Sequence, residues 1–257
     1  MGKVIAVVNE KGGVGKTTTS TTVSYLLAKK GKKVLLIDFD GQANSTMLMS
    51  DIKQNDINIT ISDIIESIIN EKELPKDYII NNKGVDLIPS SSELFALERN
   101  LTNINFREYI LKKFIDKIKD NYDYIIIDCM PQIGTPMINV MMASDSLIIP
   151  TQAEILSAKG LTELFKHYFL IKQANPKLKI DGVLITMDEV NTKSSKEVKK
   201  MLKETCKEHI NIFKTTIPKS IKVAEATIYK KTISEFMPLN KASQAYEELV
   251  KEILEIE

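Results

Sequence analysis

The 257-residue sequence predicts one α/β domain built on a doubly wound, mostly parallel sheet. Three observations carry that expectation. Several short segments are nearly unbroken apolar runs (VIAVV, VLLID, YIIID, LIIP), as strands covered on both faces must be. They alternate from end to end with longer amphipathic stretches, the pattern of βαβ units. No repeat, low-complexity linker or Pro/Gly-rich hinge divides residues 1–257, so the chain reads as a single domain.

In chain order, strands are expected at Lys3–Val8, Lys33–Asp38, Val85–Pro89, Tyr122–Asp128, Ser146–Pro150, Lys179–Met187 and Asn211–Ile217. Helices are expected at about 17–30, 60–70, 91–100, 105–120, 135–143, 157–174, 194–209 and 239–256. The first places Val23, Leu26 and Leu27 on its apolar positions and stops at Gly31. Met137, Met141 and Met142 read as core filler. In 194–209, Val198, Met201, Leu202 and Cys206 form the buried face, and the last helix offers Tyr246, Leu249, Val250, Ile253, Leu254 and Ile256.

Composition narrows the function classes. With 43% hydrophobic and 27% charged residues, the chain has the make-up of an ordinary globular protein. Thirty-five basic against 34 acidic residues give a net charge of +1, which excludes a histone-like binder but not a local basic patch. Cys129 and Cys206 cannot build a disulfide framework, which fits a reducing compartment. No apolar run approaches the roughly 18–20 residues of a membrane span, and MGKVIAVVN lacks the layout of a signal peptide, so a cytoplasmic location is expected. His167 and His209 have no metal-ligand spacing, and Cys129 and Cys206 read as buried small hydrophobes.

The most informative residues are Gly12, Gly13, Val14, Gly15, Lys16, Thr17 and Thr18, lying between the first strand and the first helix. Glycines let the backbone curl so that successive N–H groups face phosphate oxygens, and the helix N-terminus adds its partial positive charge. Lys16 would hold the phosphates of ATP and the Thr17 hydroxyl would ligate Mg²⁺. The ordinary phosphate-loop pattern has glycine at position 10; here Glu10 and then Lys11 open the loop, a deviant Walker A form. Two aspartates, Asp38 and Asp128, end strands, and in an open α/β sheet such carboxylates point into the ligand crevice. Asp128 follows the hydrophobic strand that precedes a Mg²⁺-holding aspartate; for Asp38 and Asp40 the plainer alternative is a helix cap or turn residue.

NEKGGVGKTTTS, LLIDFDGQANST and YDYIIIDCMPQIG, in that order and spacing, resemble the ParA/Soj branch of the ParA/MinD ATPases, P-loop NTPases of the deviant Walker A type. The resemblance runs on through Pro150–Glu154 and Ile217–Ala226. It implies that Lys11 crosses to the phosphates of a second subunit in an ATP-dependent homodimer, and that Asp40 positions the attacking water. It also implies that Asp38 supports the Mg²⁺ shell, directly or through water, and that Pro218 contacts the nucleotide. The chain departs from the pattern at Gly41, usually proline, and Ala43, usually glycine. Met130 and Gln132 are also unusual, although Pro131 is kept. Glycine in place of proline loosens a switch segment, so the hydrolysis rate or its stimulation is expected to differ.

Lysines supply the second clue. Lys193, Lys196, Lys199, Lys200 and Lys203, with Lys207, fall within about 120° of a helical wheel, although a solvated face stitched by Glu–Lys pairs reads the same way. The resemblance places Lys219 and Lys222 at DNA-contacting positions and Lys241 near another; Lys230 and Lys231 add charge. With Arg99 and Arg107 as the only arginines, guanine reading is nearly unavailable, so duplex DNA would be held without sequence preference and with steep salt dependence. The expectation is a DNA segregation ATPase associated with the nucleoid, its weak hydrolysis stimulated by a ParB-like partner. No helix-turn-helix precedes the loop, so autorepression is not expected.

Alternatives stay open: a relative that positions a protein cargo, a membrane-surface organiser of the MinD kind, and a small-molecule enzyme on the same scaffold. The membrane reading needs a basic amphipathic C-terminus, whereas this one ends in Glu252, Glu255 and Glu257, so no membrane is expected. An iron–sulfur reductase would need a second suitably placed cysteine beside Cys129.

Overall fold

β1 (Lys3–Val7) runs through the middle of the sheet, and that position decides where a ligand can sit. The computed structural model describes residues 2–53, 56–101, 104–189, 193–206 and 210–256. Seven further strands are β2 (Val34–Phe39), β3 (Ile80–Asn82), β4 (Val85–Ile88), β5 (Tyr124–Cys129), β6 (Ser146–Gln152), β7 (Lys179–Asp188) and β8 (Ile212–Pro218). They lie in the order β3-β4-β2-β5-β1-β6-β7-β8, and every pairing is parallel except β3 with β4.

The helices are α1 (Lys16–Lys29), α2 (Asn44–Met49), α3 (Ile61–Ile69), α4 (Glu93–Asn100), α5 (Ile110–Ile118) and α6 (Thr135–Ala143). After them come α7 (Ile155–Ala174), α8 (Lys193–Cys206), α9 (Ile221–Ile228), α10 (Ile233–Phe236) and α11 (Lys241–Glu255). Alternate strand residues feed two cores, because successive Cβ atoms point to opposite faces. Val4, Ala6, Leu35, Ile37, Ile125 and Ile127 pack with residues of α3, α5, α6 and α7 on one face. Ile5, Val7, Leu36, Ile126 and Ile148 pack with α1 and α11 on the other. Ile5 and Ile126 are fully buried, each worth about 1.5–3 kcal/mol of transfer free energy.

The chain leaves β1 through α1 toward β2, and leaves β5 through α6 to reach β6 on the opposite side of β1. These crossovers cover opposite faces of the sheet. Strand order therefore reverses at β1, and a crevice opens beyond its C-terminal end.

Each expected strand is present within two residues at its ends. β3, α2, α9 and α10 lie outside the expected elements: they are short and their sequences show no sustained period. The expected 105–120 helix resolves into α5 between two single 3₁₀ turns, Arg107–Tyr109 and Lys119–Asn121. On α8, Leu202 and Cys206 are buried as expected, but Met201 is exposed and does not belong to the apolar face. Residues 207–209, and with them Lys207 and His209, lie outside the described residues. Ile256 is also exposed, while Tyr246, Leu249, Val250 and Ile253 are buried.

Candidate nucleotide-binding site

Beyond β1 the chain turns at once into the glycine loop. Gly13 (φ 72°) and Gly15 (φ 86°) occupy the left-handed region, where an L side chain costs about 1–2 kcal/mol. Two neighbouring strands hold this loop from behind. Thr186 Oγ1 of β7 donates to the Val14 carbonyl at 2.8 Å, and Gln152 Nε2 of β6 donates to the Gly13 carbonyl at 3.2 Å. Gly15 then caps α1, where Thr19, Ser20, Thr21, Thr22 and Ser24 are all buried between the sheet and the neighbouring helices. Several of these small hydroxyl side chains return their proton to a carbonyl one turn back, as Ser24 does to Ser20 at 2.7 Å.

The crevice above the loop is a cavity of about 480 Å³ lined by Gly12, Gly13, Gly15, Lys16, Thr17 and Thr18 together with Asp40, Gln42, Asn44, Pro131 and Met187. Lys16 is buried, and its Nζ donates to the Lys11 carbonyl at 3.0 Å. Burial pushes its ammonium below the ordinary lysine value, and Asp128 opposes that shift.

Asp128 ends β5 beside Asp38 of β2, the two being register partners. Three hydroxyls converge on Asp128: Thr17 at 2.8 Å, Ser45 at 2.7 Å and Ser20 at 3.1 Å. Asp38 accepts from the amide and the hydroxyl of Thr46, both at 2.7 Å, and from the Asp40 amide at 3.3 Å. Both carboxyls are fully buried, and desolvation pushes both above the usual carboxylate range. The strand ends thus clamp the first turn of α2 through Ser45 and Thr46. Asp40 caps its own turn, accepting from the Gln42 amide at 2.9 Å.

The donor set suits Mg²⁺. Thr17, which lines the cavity, and Asp128, buried directly behind it rather than open to the crevice, are hard oxygen donors 2.8 Å apart. Among the described residues no group of three or more His, Cys, Asp or Glu could hold a metal alone. A dication here would complete its shell with phosphate oxygens and water.

Lys11 stands outside this cavity, on a neighbouring cleft of about 390 Å³ lined also by Asn9, Glu10, Pro131, Gln132 and Ile133. Its Nζ donates to Glu154 at 2.5 Å and Gln152 at 3.5 Å. Pro218 falls at the end of β8 opposite Asp188, on the same edge of the sheet as Met187.

The lysines divide. Lys219 pairs with Glu189 at 2.7 Å and Lys222 with Glu225 at 2.6 Å, both pairs open to solvent. Lys200, Lys230, Lys231 and Lys241 are exposed. Lys199 instead turns inward to the buried Asp188 at 2.5 Å, which also accepts from Thr216 at 2.8 Å; this lysine ties α8 to β7. The side chains of Lys193, Lys196 and Lys203 lie outside the described residues.

Sequence reasoning missed Ser20, Ser45, Thr46, Gln152 and Glu154 as members of the site. Ser45 and Thr46 stood in the LLIDFDGQANST segment, and a hydroxyl pair just after Asp40 was the available signal. Gln152 and Glu154 stood in the Pro150–Glu154 segment of the resemblance but without a role; their contacts with Gly13 and Lys11 appear only in the folded chain.

A doubly wound parallel sheet with a glycine loop, a buried lysine and strand-end carboxylates at its switch point defines a P-loop nucleotide-binding protein. Residues 2–180 match the family model described as an AAA domain. The chain is 37% identical to the sporulation initiation inhibitor protein Soj of Bacillus subtilis, over 98% of each chain. It is 33% identical to the chromosome-partitioning ATPase Soj of Treponema pallidum, over 99% of this chain and 98% of that one. Among solved structures, a putative plasmid partition protein of Borrelia burgdorferi bound to AMPPNP is 28% identical with a TM-score of 0.82, covering all of both chains. Cobyrinic acid a,c-diamide synthase of Mycobacterium smegmatis, with a bound ATP analogue and magnesium, is 26% identical with a TM-score of 0.83, covering 99% and 95%. The chain belongs to the Soj/ParA family of ATPases.

Proposed function

We propose that this protein is an ATP- and Mg²⁺-dependent DNA segregation ATPase of low basal activity. It works as a homodimer that holds duplex DNA without sequence preference and releases it when a ParB-like partner stimulates hydrolysis. The observation that carries this reading is the place of Lys11. A second loop cation stands outside the cavity that Lys16 serves, on a cleft of its own, and this reading has another subunit present its phosphates there. A cation supplied in trans neutralises developing charge on the transferred phosphoryl group and makes association depend on the γ-phosphate.

In this reading the residues take the following roles. Gly12, Gly13, Val14, Gly15, Thr18 and Lys16 cradle the phosphates, and Pro218 borders the nucleotide from β8. Thr17 and Asp128 hold the cation, with Asp38 behind them. Asp40 orients the attacking water; an ordinary carboxylate is too weak a base to do more than accept the proton late. When bound, Mg²⁺ supplies charge neutralisation between the phosphates. Lys219, Lys222, Lys230, Lys231 and Lys241, with the α8 lysines that face solvent, meet DNA phosphates and place the dimer on the nucleoid. Full-length similarity to chromosome-partitioning ATPase Soj supports the assignment.

The test is Lys11→Ala. It should bind ATP as the wild type does yet fail to dimerise by light scattering. A Lys11→Ala protein that dimerises normally with ATP overturns the reading. A small-molecule reading, favoured by the similarity to the diamide synthase and by the second cleft beside Lys11, predicts no DNA binding in any nucleotide state.

A further inference from the structure

The turn that carries Asp40 is held from inside by polar contacts, the Ala43 and Gln42 amides donating to the Asp40 carbonyl and carboxylate at 2.9 Å each. On its outer side it meets one aromatic ring. An ideal Cβ built on Gly41 would lie 2.6–2.8 Å from three ring carbons of Phe95. The ring therefore fills the space that a side chain at position 41 would take. Gly41 is not in the left-handed region, so backbone conformation does not demand glycine there. The close approach of Phe95 does.

Phe95 is well placed to act on the turn. Its neighbour Leu94 is 2% exposed and plugs α4 into the core formed with α3 and α5, so the helix cannot drift. Phe95 itself remains 42% exposed, lying over the turn with its outer face in solvent. Glycine at 41 leaves the turn with more freedom than any other residue would, and the ring limits that freedom without a covalent link.

We infer that Phe95 is a positioning residue: its ring braces the Asp40–Gln42 turn, and so sets how often Asp40 is aligned for hydrolysis. This rests on the proposed role of Asp40.

The experiment is a double-variant cycle read as steady-state ATP hydrolysis, with thermal melting of each protein alongside. Phe95→Ala and Gly41→Ala should each lower kcat about tenfold, less than the ~10²-fold that a 1 Å misplacement can cost, with KM for ATP within about twofold. Phe95→Leu, which keeps bulk at the turn, should recover most of the loss. The double variant should be no slower than Phe95→Ala alone, because a Cβ at 41 harms only by displacing the ring. Wild-type kcat in Phe95→Ala, or multiplied losses in the double variant, overturns the inference. Asp40→Ala separates the two readings: if it hydrolyses normally the role of Asp40 fails, and if it is inactive while Phe95→Ala is normal, only the brace fails.

Discussion

Lys16 and Lys219 carry the same charged group in opposite settings, and the contrast between their regions explains what each can do. At the phosphate loop the charges are buried and multiply held. Asp128 alone takes three hydroxyls, and Asp38 takes two contacts from Thr46. At the α9 surface, Lys219 and Lys222 each meet one carboxylate in solvent. A buried network has a fixed geometry and answers to one ligand shape. A solvent-exposed pair is worth at most about 1 kcal/mol, so its lysine can leave Glu189 or Glu225 for a phosphate at little cost. The nucleotide end is therefore built for selection and the lysine surface for exchange.

The strongest way to break this contrast is at the loop. Lys16→Ala should abolish measurable binding of a fluorescent ATP analogue and with it nucleotide-dependent dimerisation, while the surface lysines stay intact. At the other region, replacing Lys219 and Lys222 together by alanine should leave ATP binding unchanged. The slope of log K for DNA against log salt should fall by about 2 per subunit, roughly one for each lost phosphate contact. Lys199 sharpens the boundary. Its replacement by alanine leaves Asp188 buried with Thr216, so it should cost about 1–3 kcal/mol in denaturant unfolding and leave the salt slope unchanged.

Protons offer a finer test. Asp38 is raised toward about 8 by burial and by the neighbouring Asp128 charge. A carboxyl whose folded pKa lies above its unfolded value binds its proton more tightly when folded. Its stabilising contribution is complete below about pH 4 and drains away as pH rises toward 8, by at most about 1.4 kcal/mol per unit. Nucleotide-free protein should therefore lose stability between pH 5 and 8, and Asp38→Asn should flatten that slope. The smallest effect is expected at Ala43, which sits in the left-handed region at φ 54°. Ala43→Gly should raise stability by about 0.5–1 kcal/mol, the strain relieved less the entropy of glycine.

The same contrast marks how far the sequence could be read. The loop, the strand-end aspartates and the β1–α1 unit are local in sequence, since Gly12–Thr18 follow β1 directly and their residue types are dictated by phosphate geometry. Asp38 and Asp128 were legible because apolar strands announce their own ends. The hydroxyl clamp was not, because Ser20, Ser45 and Thr17 come from two segments and meet Asp128 only through the sheet. Nor was the inward turn of Lys199, whose position on the helical wheel matches that of a solvated lysine. Met201 shows the same limit: at the margin of an apolar stripe, one helical step decides between core and water. Gly41 read as loosening a switch segment and Ala43 only as a departure from the pattern, whereas the folded chain places Phe95 against the first and strain at the second.

The most direct test of the account is co-sedimentation of the purified protein with non-specific duplex DNA, with Mg²⁺ and ATP, ADP or no nucleotide, at two salt concentrations. The account predicts sedimentation with ATP alone, weakened sharply at the higher salt. Nucleotide binding with no DNA binding in any state would contradict it and assign the lysine surface to another partner.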